Sequence, residues 1–281
     1  MDVWTTAIKK RSSQGRGSNK KIELTGIKKL RELILELAVR GKLVPQAPND
    51  EPASILLEKI AAEKAQLIKD KKIKKPKELD AINDNEKNYE LPIGWTWIKL
   101  GLVTNFINGY AFKSSDFEDN GVGIVKIGDI QNGVISTDSM SRVSSNVVEP
   151  LDVNLKVTRG DLLIAMSGAT TGKLGFNCSD EMFYLNQRVG KIVLFQLLPE
   201  YIYFPLTTKI AENLAKSMGS AIPNISTTQI NNIVFALPPL AEQHRIVAKV
   251  DELMALCDQL EQQTEDSITA HKTLVETLLA T

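Results

Sequence analysis

The longest regular pattern in the sequence is LAEQHRIVAKVDELMALCDQLEQQTEDSITAHKTLVETLL, residues 240–279. Apolar side chains recur in it with the alternating spacing of four and three residues that is typical of a coiled-coil seam. Neither proline nor glycine interrupts the stretch, so it predicts one helix about 60 Å long. Because such a helix cannot bury its own apolar stripe, we expect it to pack against the N-terminal helices, a second copy or a partner.

Two shorter helices are predicted closer to the N-terminus, within residues 27–71. The first carries apolar residues at helical spacing and ends at Gly41, a usual stop signal, and Ser54 can cap the second. The lysine-rich run at 69–77 fits either a solvated linker or a mobile arm that contacts phosphate. We therefore interpret residues 1–88 as a helical region followed by a basic linker.

The pattern changes over residues 89–238, where glycines are frequent and short β-rich runs are bounded by turn residues. The predicted strands are Ile124–Ile127, Val134–Ser136, Asp161–Met166 and Val189–Phe195, and a helix is predicted over Pro199–Met218. The fold class is accordingly α+β, with one globular β-rich domain at 89–238. Long helices flank it, the C-terminal one occupying residues 239–281.

Composition narrows the class of protein. The chain has 281 residues, no formal net charge and two cysteines, which does not suit a disulfide scaffold. Its apolar runs are too short for a membrane-spanning helix and its first residues lack a signal-peptide core, so we expect a cytoplasmic protein. By count, residues 1–88 carry a net charge of about +7 and residues 241–281 about −5, which suggests that these segments pack on each other or on partners.

The segment most suggestive of chemistry is GATTGKL at 168–174. A P-loop needs four residues between its glycines and a Ser or Thr after its lysine. Here three residues intervene, and Leu174 takes the place of the hydroxyl, which argues against nucleotide binding. A loop rich in glycine and hydroxyl groups and ending in Lys173 does suit a nucleic-acid backbone.

Catalytic motifs are weak. His244 and His271 both lie on the C-terminal helix, with no ligand partner at metal-binding spacing. The single Pro-Pro pair, at 238–239, lacks the preceding Asn or Asp of an adenine methyltransferase motif. We therefore predict a non-enzymatic protein with no cofactor.

The order of several motifs resembles the specificity (S) subunits of type I restriction-modification systems. The motifs are, in chain order, LRELILELAVRGKLVPQ (30–46), NDEPAS (49–54), LPIGWTW (91–97), SGATTGK (167–173), NQR (186–188) and PPLAEQHRIV (238–247). They are similar to a conserved helical region, the start of a target recognition domain, a loop and a strand of that domain, and the return into a conserved helix. The resemblance covers residues 22–281.

This resemblance implies a non-catalytic subunit whose target recognition domain reads one half of a bipartite site in double-stranded DNA. The helices would set the spacing and dock methylation (M) subunits, which bind S-adenosylmethionine and methylate adenine, and the restriction (R) subunit would join the assembled complex. The C-terminal helix is also a candidate surface for self-association. A complete S subunit has two recognition domains, so we expect either an N-terminal half or a natural half-length form.

Candidate DNA contacts come from polar clusters within residues 89–238. Asn and Gln pair with adenine edges and Arg with guanine edges, whereas Lys173 suits a phosphate. Arg188 has a structural alternative, an ion pair with Asp180 or Glu181. The candidates are Lys113, Ser114, Ser115, Gln131, Asn132, Thr170, Thr171, Lys173, Asn186, Gln187 and Arg188.

The sequence leaves two other classes of protein function open. One is a coiled-coil scaffold whose β-rich domain binds protein, and the other is an enzyme with an unrecognised site.

Overall fold

A computed structural model describes residues 24–131, 133–216 and 224–279. Contacts group these residues into two compact units. One unit holds the residues up to Pro45 together with those from Arg245 onward, and the other holds Gln46–His244. Residues 46–88 thus group with the strands, so this division does not coincide with the predicted border at residue 88.

The first unit consists of helix α1, Thr25–Val39, and most of helix α7, Leu240–Leu279. The predicted long helix is therefore confirmed over its full length. Helix α1 ends at the predicted glycine, because Gly41 adopts a φ of 65° and the amide of Lys42 donates to the carbonyl of Leu37 at 2.9 Å. This left-handed closure satisfies carbonyls at the end of the helix and favours glycine.

Helix α1 is joined to α7 by Arg31. Its Nη2 donates to Asp258 at 2.7 Å and to Glu261 at 3.0 Å. Asp258 and Glu261 lie on the same face of α7. The Arg31 guanidinium, bonded to both, therefore helps to set where α1 lies along α7.

The apolar seam of α7 is covered only near its beginning. Ile246, Val250 and Cys257 are almost fully buried, whereas Leu260 is 47% exposed and Leu278 is 66% exposed. A helix of 15 residues spans roughly 22 Å, so α1 is too short to cover a helix of 40 residues. The later part of α7 therefore presents apolar side chains to its surroundings.

The second unit contains five helices and twelve strands among its described residues. The helices are α2 (Ala53–Lys69), α3 (Leu100–Val103), α4 (Ser145–Val148), α5 (Pro199–Lys216) and α6 (Thr227–Asn231). The strands are β1 (Thr96–Lys99), β2 (Thr104–Asn108), β3 (Phe117–Glu118), β4 (Val122–Val125), β5 (Gly133–Val134), β6 (Ser141–Val143), β7 (Lys156–Val157), β8 (Leu162–Ala165), β9 (Leu174–Phe176), β10 (Phe183–Leu185), β11 (Val189–Leu194) and β12 (Val234–Leu237).

The strands form two five-stranded sheets and one two-stranded ribbon. One sheet has the order β3-β6-β4-β10-β7, the other has the order β2-β11-β8-β9-β5, and β1 pairs with β12. A core cluster draws side chains from both sheets, for example Val125 and Phe183 from the first and Leu163 and Val189 from the second. Consecutive strands β10 and β11 belong to different sheets, so the turn at 186–188 is where the chain crosses between them.

The predicted elements of this unit are recovered with shifted or shorter limits. The four predicted strands overlap β4, β5, β8 and β11, and the predicted helix overlaps α5. The last two residues of that predicted helix, 217 and 218, lie outside the described residues. The α+β class with a long C-terminal helix is confirmed.

The start of α7 is anchored within the second unit by a buried carboxylate. Glu242 is 1% exposed and accepts hydrogen bonds from Trp95 Nε1 at 2.8 Å and from Gln46 Nε2 at 2.7 Å. The amide of Ala53 donates to the carbonyl of Gly94 at 2.8 Å. A buried charge needs such partners, so these contacts tie the LPIGWTW segment, the residues before α2 and the first turn of α7 together.

Helix α2 is attached to the strands by a buried lysine. The buried face of α2 places Lys64 where an apolar residue would be expected, and the residue is 8% exposed. Its ammonium donates to the carbonyls of Gly101, Leu102 and Thr104 at 2.7, 3.0 and 2.9 Å. These carbonyls lie at the end of α3, where a cation is favoured. Burial lowers the pKa of Lys64 to about 8.

We expect Lys64→Met to lower the free energy of unfolding by about 1–3 kcal/mol, because buried carbonyls lose their donor. Lys59→Met is the matched control on the same helix. Lys59 pairs with Glu51 at an exposed position, so its loss should cost no more than about 0.5 kcal/mol. Chemical denaturation measures both, and equal stability of the two variants would remove this role from Lys64.

The same lysine predicts a pH dependence. Its pKa is lower in the folded chain than the ordinary value of 10.5, so between those two values the unfolded chain binds the proton that the folded chain has released. The free energy of unfolding should therefore rise from about pH 8 towards pH 10.5 in the wild type relative to Lys64→Met.

Candidate nucleic-acid interface

Four chain segments that are distant in sequence meet beside the ends of β2, β8 and β10. They are residues 108–110, 166–167, 185–189 and 224–225. Main-chain hydrogen bonds join them. The bonds run from Gly109 N to Val189 O (3.0 Å), Tyr110 N to Leu185 O (2.9 Å), Met166 N to Arg188 O (2.9 Å) and Ile225 N to Met166 O (2.9 Å). We call this set of bonds the backbone ladder.

Gly109 allows the closest approach in the ladder. A Cβ atom built on Gly109 would lie 1.9 Å from the carbonyl oxygen of Asn186. No side chain fits at that distance, so glycine is required by the approach of two backbone segments. The contact places residues 108–110 directly beside the turn at 186–188.

The turn at 186–188 is itself tightly held. The amide of Val189 donates to the carbonyl of Asn186 at 2.9 Å, and the amide of Asn186 donates to the carbonyl of Val125 at 3.1 Å. Its two central residues, Gln187 and Arg188, are exposed. A rigid backbone thus presents two solvent-facing polar side chains.

An open cavity of about 440 Å³ lies where the segments meet. Each of the four segments contributes to its lining, and the described lining residues include no carboxylate. The lining residues are Asn108, Met166, Ser167, Gln187, Arg188 and Asn224. Three amides, a hydroxyl and a guanidinium make this a site rich in hydrogen-bond donors.

Arg188 has no ion-pair partner among the described residues. The two carboxylates that could have paired with it are taken by other arginines: Asp180 accepts from Arg159 at 3.0 Å, and Glu181 accepts from Arg142 at 2.7 Å. The structural alternative for Arg188 is therefore wrong in this structure, and its guanidinium is available to a ligand.

Asn108 is oriented by a neighbouring hydroxyl. It is the last residue of β2, and its Oδ1 accepts a hydrogen bond from Thr227 Oγ1 at 3.0 Å. Thr227 is the first residue of α6. Since the carbonyl side of the amide faces Thr227, both N–H donors of Asn108 are left for another acceptor.

The glycine loop differs from a phosphate-binding P-loop in its surroundings. Gly168 and Gly172 have φ values of 79° and 83°, and strand β9 follows the loop where a P-loop would have a helix. The Thr170 hydroxyl donates to the carbonyl of Ile127 at 3.0 Å, and the Thr171 hydroxyl donates to the carbonyl of Gly168 at 2.7 Å. Both threonines thus hold the loop in shape.

Comparison with known proteins identifies the family. A family model described as the type I restriction modification DNA specificity domain matches residues 92–270. The matched interval contains all four segments of the backbone ladder and most of α7. This chain belongs to the type I restriction-modification specificity family.

Two curated members of this specificity family are similar to the whole chain. It is 41% identical to the type I restriction enzyme EcoAI specificity subunit of Escherichia coli and 40% identical to the EcoEI specificity subunit of the same organism. Each alignment covers 100% of this chain and 48% of the relative. The chain therefore spans about half the length of these curated relatives.

A solved structure supports the fold. A chain from a study of complex assembly and conformational transition in the type I R-M system aligns with a TM-score of 0.54 at 19% identity, covering 89% of this chain and 55% of that one. At this identity the likeness concerns the fold alone.

Membrane-spanning helices and clusters of metal ligands are absent from the described part of this family member. None of its described helices combines the length and apolar character needed to cross a bilayer. Residues 24–131, 133–216 and 224–279 also bring together no group of three or more His, Cys, Asp or Glu side chains that could hold a metal.

The residues that the sequence marks as candidate DNA contacts lie in different parts of the second unit. Gln187 and Arg188 line the cavity, and Asn186 lies at the backbone contact with Gly109. Lys173 is half-buried at the end of the glycine loop, with no ion-pair partner among the described residues.

The remaining candidates lie in surface turns. Lys113, Ser114 and Ser115 are exposed in a turn closed by Asp116, which accepts from the amide of Lys113 at 2.8 Å. Gln131 donates to the carbonyl of Gly128 at 3.0 Å. Asn132 lies outside the described residues.

The hydrogen bond from Thr170 to Ile127 joins the glycine loop to the turn at residues 126–129. Asp129 accepts from the amide of Lys126 at 2.7 Å, and burial raises the pKa of Asp129. The Thr170 hydroxyl, bonded to Ile127, therefore links the 126–129 turn to the glycine loop.

Sequence reasoning missed three polar residues that line the cavity, Asn108, Ser167 and Asn224, and the apolar Met166. Ser167 is the first residue of the SGATTGK motif, whereas Asn108 ends a strand and carried no signal of its own. The clue available was Gly109, since a glycine that follows a strand often marks a close backbone approach.

We expect Gly109→Ala to destabilise the specificity domain by roughly 1–3 kcal/mol, because the added methyl overlaps the Asn186 carbonyl. Gly128→Ala is the control, since a Cβ there meets nothing within 4 Å. Thermal unfolding gives the stability, and hydrogen exchange at the amides of Tyr110 and Val189 reports the ladder directly. Unchanged protection at both amides in Gly109→Ala would contradict the role of this contact.

Proposed function

We propose that this chain is a non-catalytic, DNA-reading part of a type I restriction-modification system that acts in the cytoplasm and needs no cofactor of its own. Its β-rich unit binds double-stranded DNA and reads one half of a bipartite site. Its long helices bind M subunits, and an R subunit joins through the assembled complex. The proposal also includes self-association through α7.

The observation that carries this proposal is the family match over residues 92–270. The matched family is that of the type I restriction modification DNA specificity domain. The two relatives that align with the whole chain are named specificity subunits. The protein-binding scaffold and the unrecognised enzyme have no comparable support.

The charge arrangement in the second unit supports DNA as the ligand. Arg142 and Arg159 are paired with carboxylates, whereas Arg188 lines the cavity and has no ion-pair partner among the described residues. Lys173 also lacks a described ion-pair partner. A few placed cations of this kind suit contact with DNA in a domain that has no net positive charge.

The apolar surface of α7 supports binding to protein partners. Leu256 and Leu260 are each 47% exposed, and Leu274, Leu278 and Leu279 are 57%, 66% and 82% exposed. Large apolar side chains that stay exposed on a regular helix mark an interaction surface. A second copy of the chain or an M subunit would bury them.

The proposal predicts a methylation motif. In cells given the genes of the complete system, sequencing that detects methylated adenine should show a bipartite motif. Deleting the gene for this chain should abolish the motif, and replacing residues 89–238 with those of a relative should change one half of it. If the motif survives the deletion, or if no motif depends on this chain, the proposed function is wrong.

Lys173 is predicted to contact a phosphate. In the assembled complex, Lys173→Ala should weaken binding to all sequences by a similar factor and reduce the salt dependence of log K by about one unit. Lys209→Ala is the control, because Lys209 pairs with Glu212 at 2.9 Å on α5. Titrations at several salt concentrations measure the slope, and a loss confined to one base pair would assign Lys173 to base reading instead.

A further inference from the structure

We propose that the cavity beside the backbone ladder is a base-reading site for a purine edge in the major groove, with Arg188 and Asn108 as readers. Thr227 is a positioning residue that acts through Asn108. This inference rests on the proposed function and assigns the part of DNA that the cavity binds.

The chemistry of the lining favours a base over a phosphate. Phosphate sites in proteins often present backbone N–H groups, but the amides of Gly109, Tyr110, Met166 and Ile225 are spent on the ladder. The cavity instead offers side-chain amides and one guanidinium. These are the groups that pair with purine edges.

Arg188 has the properties of a guanine reader. The N7 and O6 acceptors of guanine match the fork of a guanidinium. The carbonyl of Arg188 is held by the amide of Met166 at 2.9 Å, while the side chain is exposed and lacks a described ion pair. Its backbone is thus fixed and its charged end is free, which lowers the entropy lost on binding.

Asn108 supplies a second, separately oriented reader. Its bond from Thr227 (3.0 Å) sets the direction of the amide and leaves the N–H donors for a base acceptor. Gly109, the next residue, brings Asn108 beside the turn that carries Arg188. Two readers on adjacent backbone segments are placed to contact one base pair or two neighbouring pairs.

The described lining residues include no carboxylate, the ligand type that a metal ion or a cationic ligand would favour. Of the six described lining residues, only Met166 is apolar, and the other five carry side chains that can form hydrogen bonds with a base edge.

The test uses the complete specificity subunit in complex with its M subunits. A library of duplexes with a randomised segment is selected for binding, and the consensus duplex and its single-base variants are then titrated. The variants are Arg188→Ala, Asn108→Asp and Thr227→Val, and the control is Arg159→Ala. The control removes the same charge from the same unit, at an arginine paired with Asp180.

We expect Arg188→Ala to lose roughly 5- to 150-fold of the preference for guanine at one position and to keep the preferences elsewhere. Asn108→Asp replaces donors with acceptors and should shift the preferred base at its own position towards cytosine. Thr227→Val should relax the same position as Asn108→Asp, which a general effect on folding would not do. Arg159→Ala should leave the consensus unchanged.

The outcomes separate the two proposals. If the wild-type complex selects no consensus, the proposed function fails. If it selects one, but Arg188→Ala and Asn108→Asp select the same consensus or lose affinity equally for every duplex, the base-reading assignment alone is overturned. Melting temperatures of the free subunit check folding, and Gln187→Ala, at an exposed position of the same turn, replaces any variant that does not fold.

Discussion

The contact between Gly109 and the carbonyl of Asn186 is the constraint on which the candidate site depends. The two segments lie so close that a methyl group at residue 109 would overlap the oxygen. Through this contact the end of β2 is joined to the crossing between the two sheets. The remaining bonds of the ladder then bring residues 166–167 and 224–225 to the same place.

Arg188 differs from the two buried charged groups that hold segments of the second unit together. Lys64 and Glu242 are buried, and each is held by two or more hydrogen bonds that join separate segments. Arg188 has no such bond among the described residues. The fold therefore uses its buried charges for attachment, and it leaves an exposed charge where a ligand can reach it.

Features that depend on local sequence could be predicted. The period of α7 and the absence of proline and glycine gave its limits, and Gly41 marked the end of α1. The face of α2 was harder, because Lys64 has the composition of an exposed residue and becomes buried only where α3 supplies carbonyls. The predicted cap of α2 was wrong, because the helix begins at Ala53 and Ser54 therefore lies inside it.

The cavity could not be predicted in the same way, because its lining comes from segments separated by up to about a hundred residues. The order of strands in each sheet decides which segments meet, and strand pairing is not a local property. Asn108 shows the difficulty. Its function as a lining residue depends on β2 pairing with β11 and on the position of Thr227.

The backbone ladder has a consequence for the evolution of such domains. Its bonds connect main-chain atoms, so they tolerate exchange of the side chains at 108, 187, 188 and 224. Mutation can change the chemistry of the cavity while Gly109 and the strand pairing preserve its framework. A domain built in this way can acquire a new target sequence through a few substitutions. None of the intermediate variants along that path needs to lose its fold.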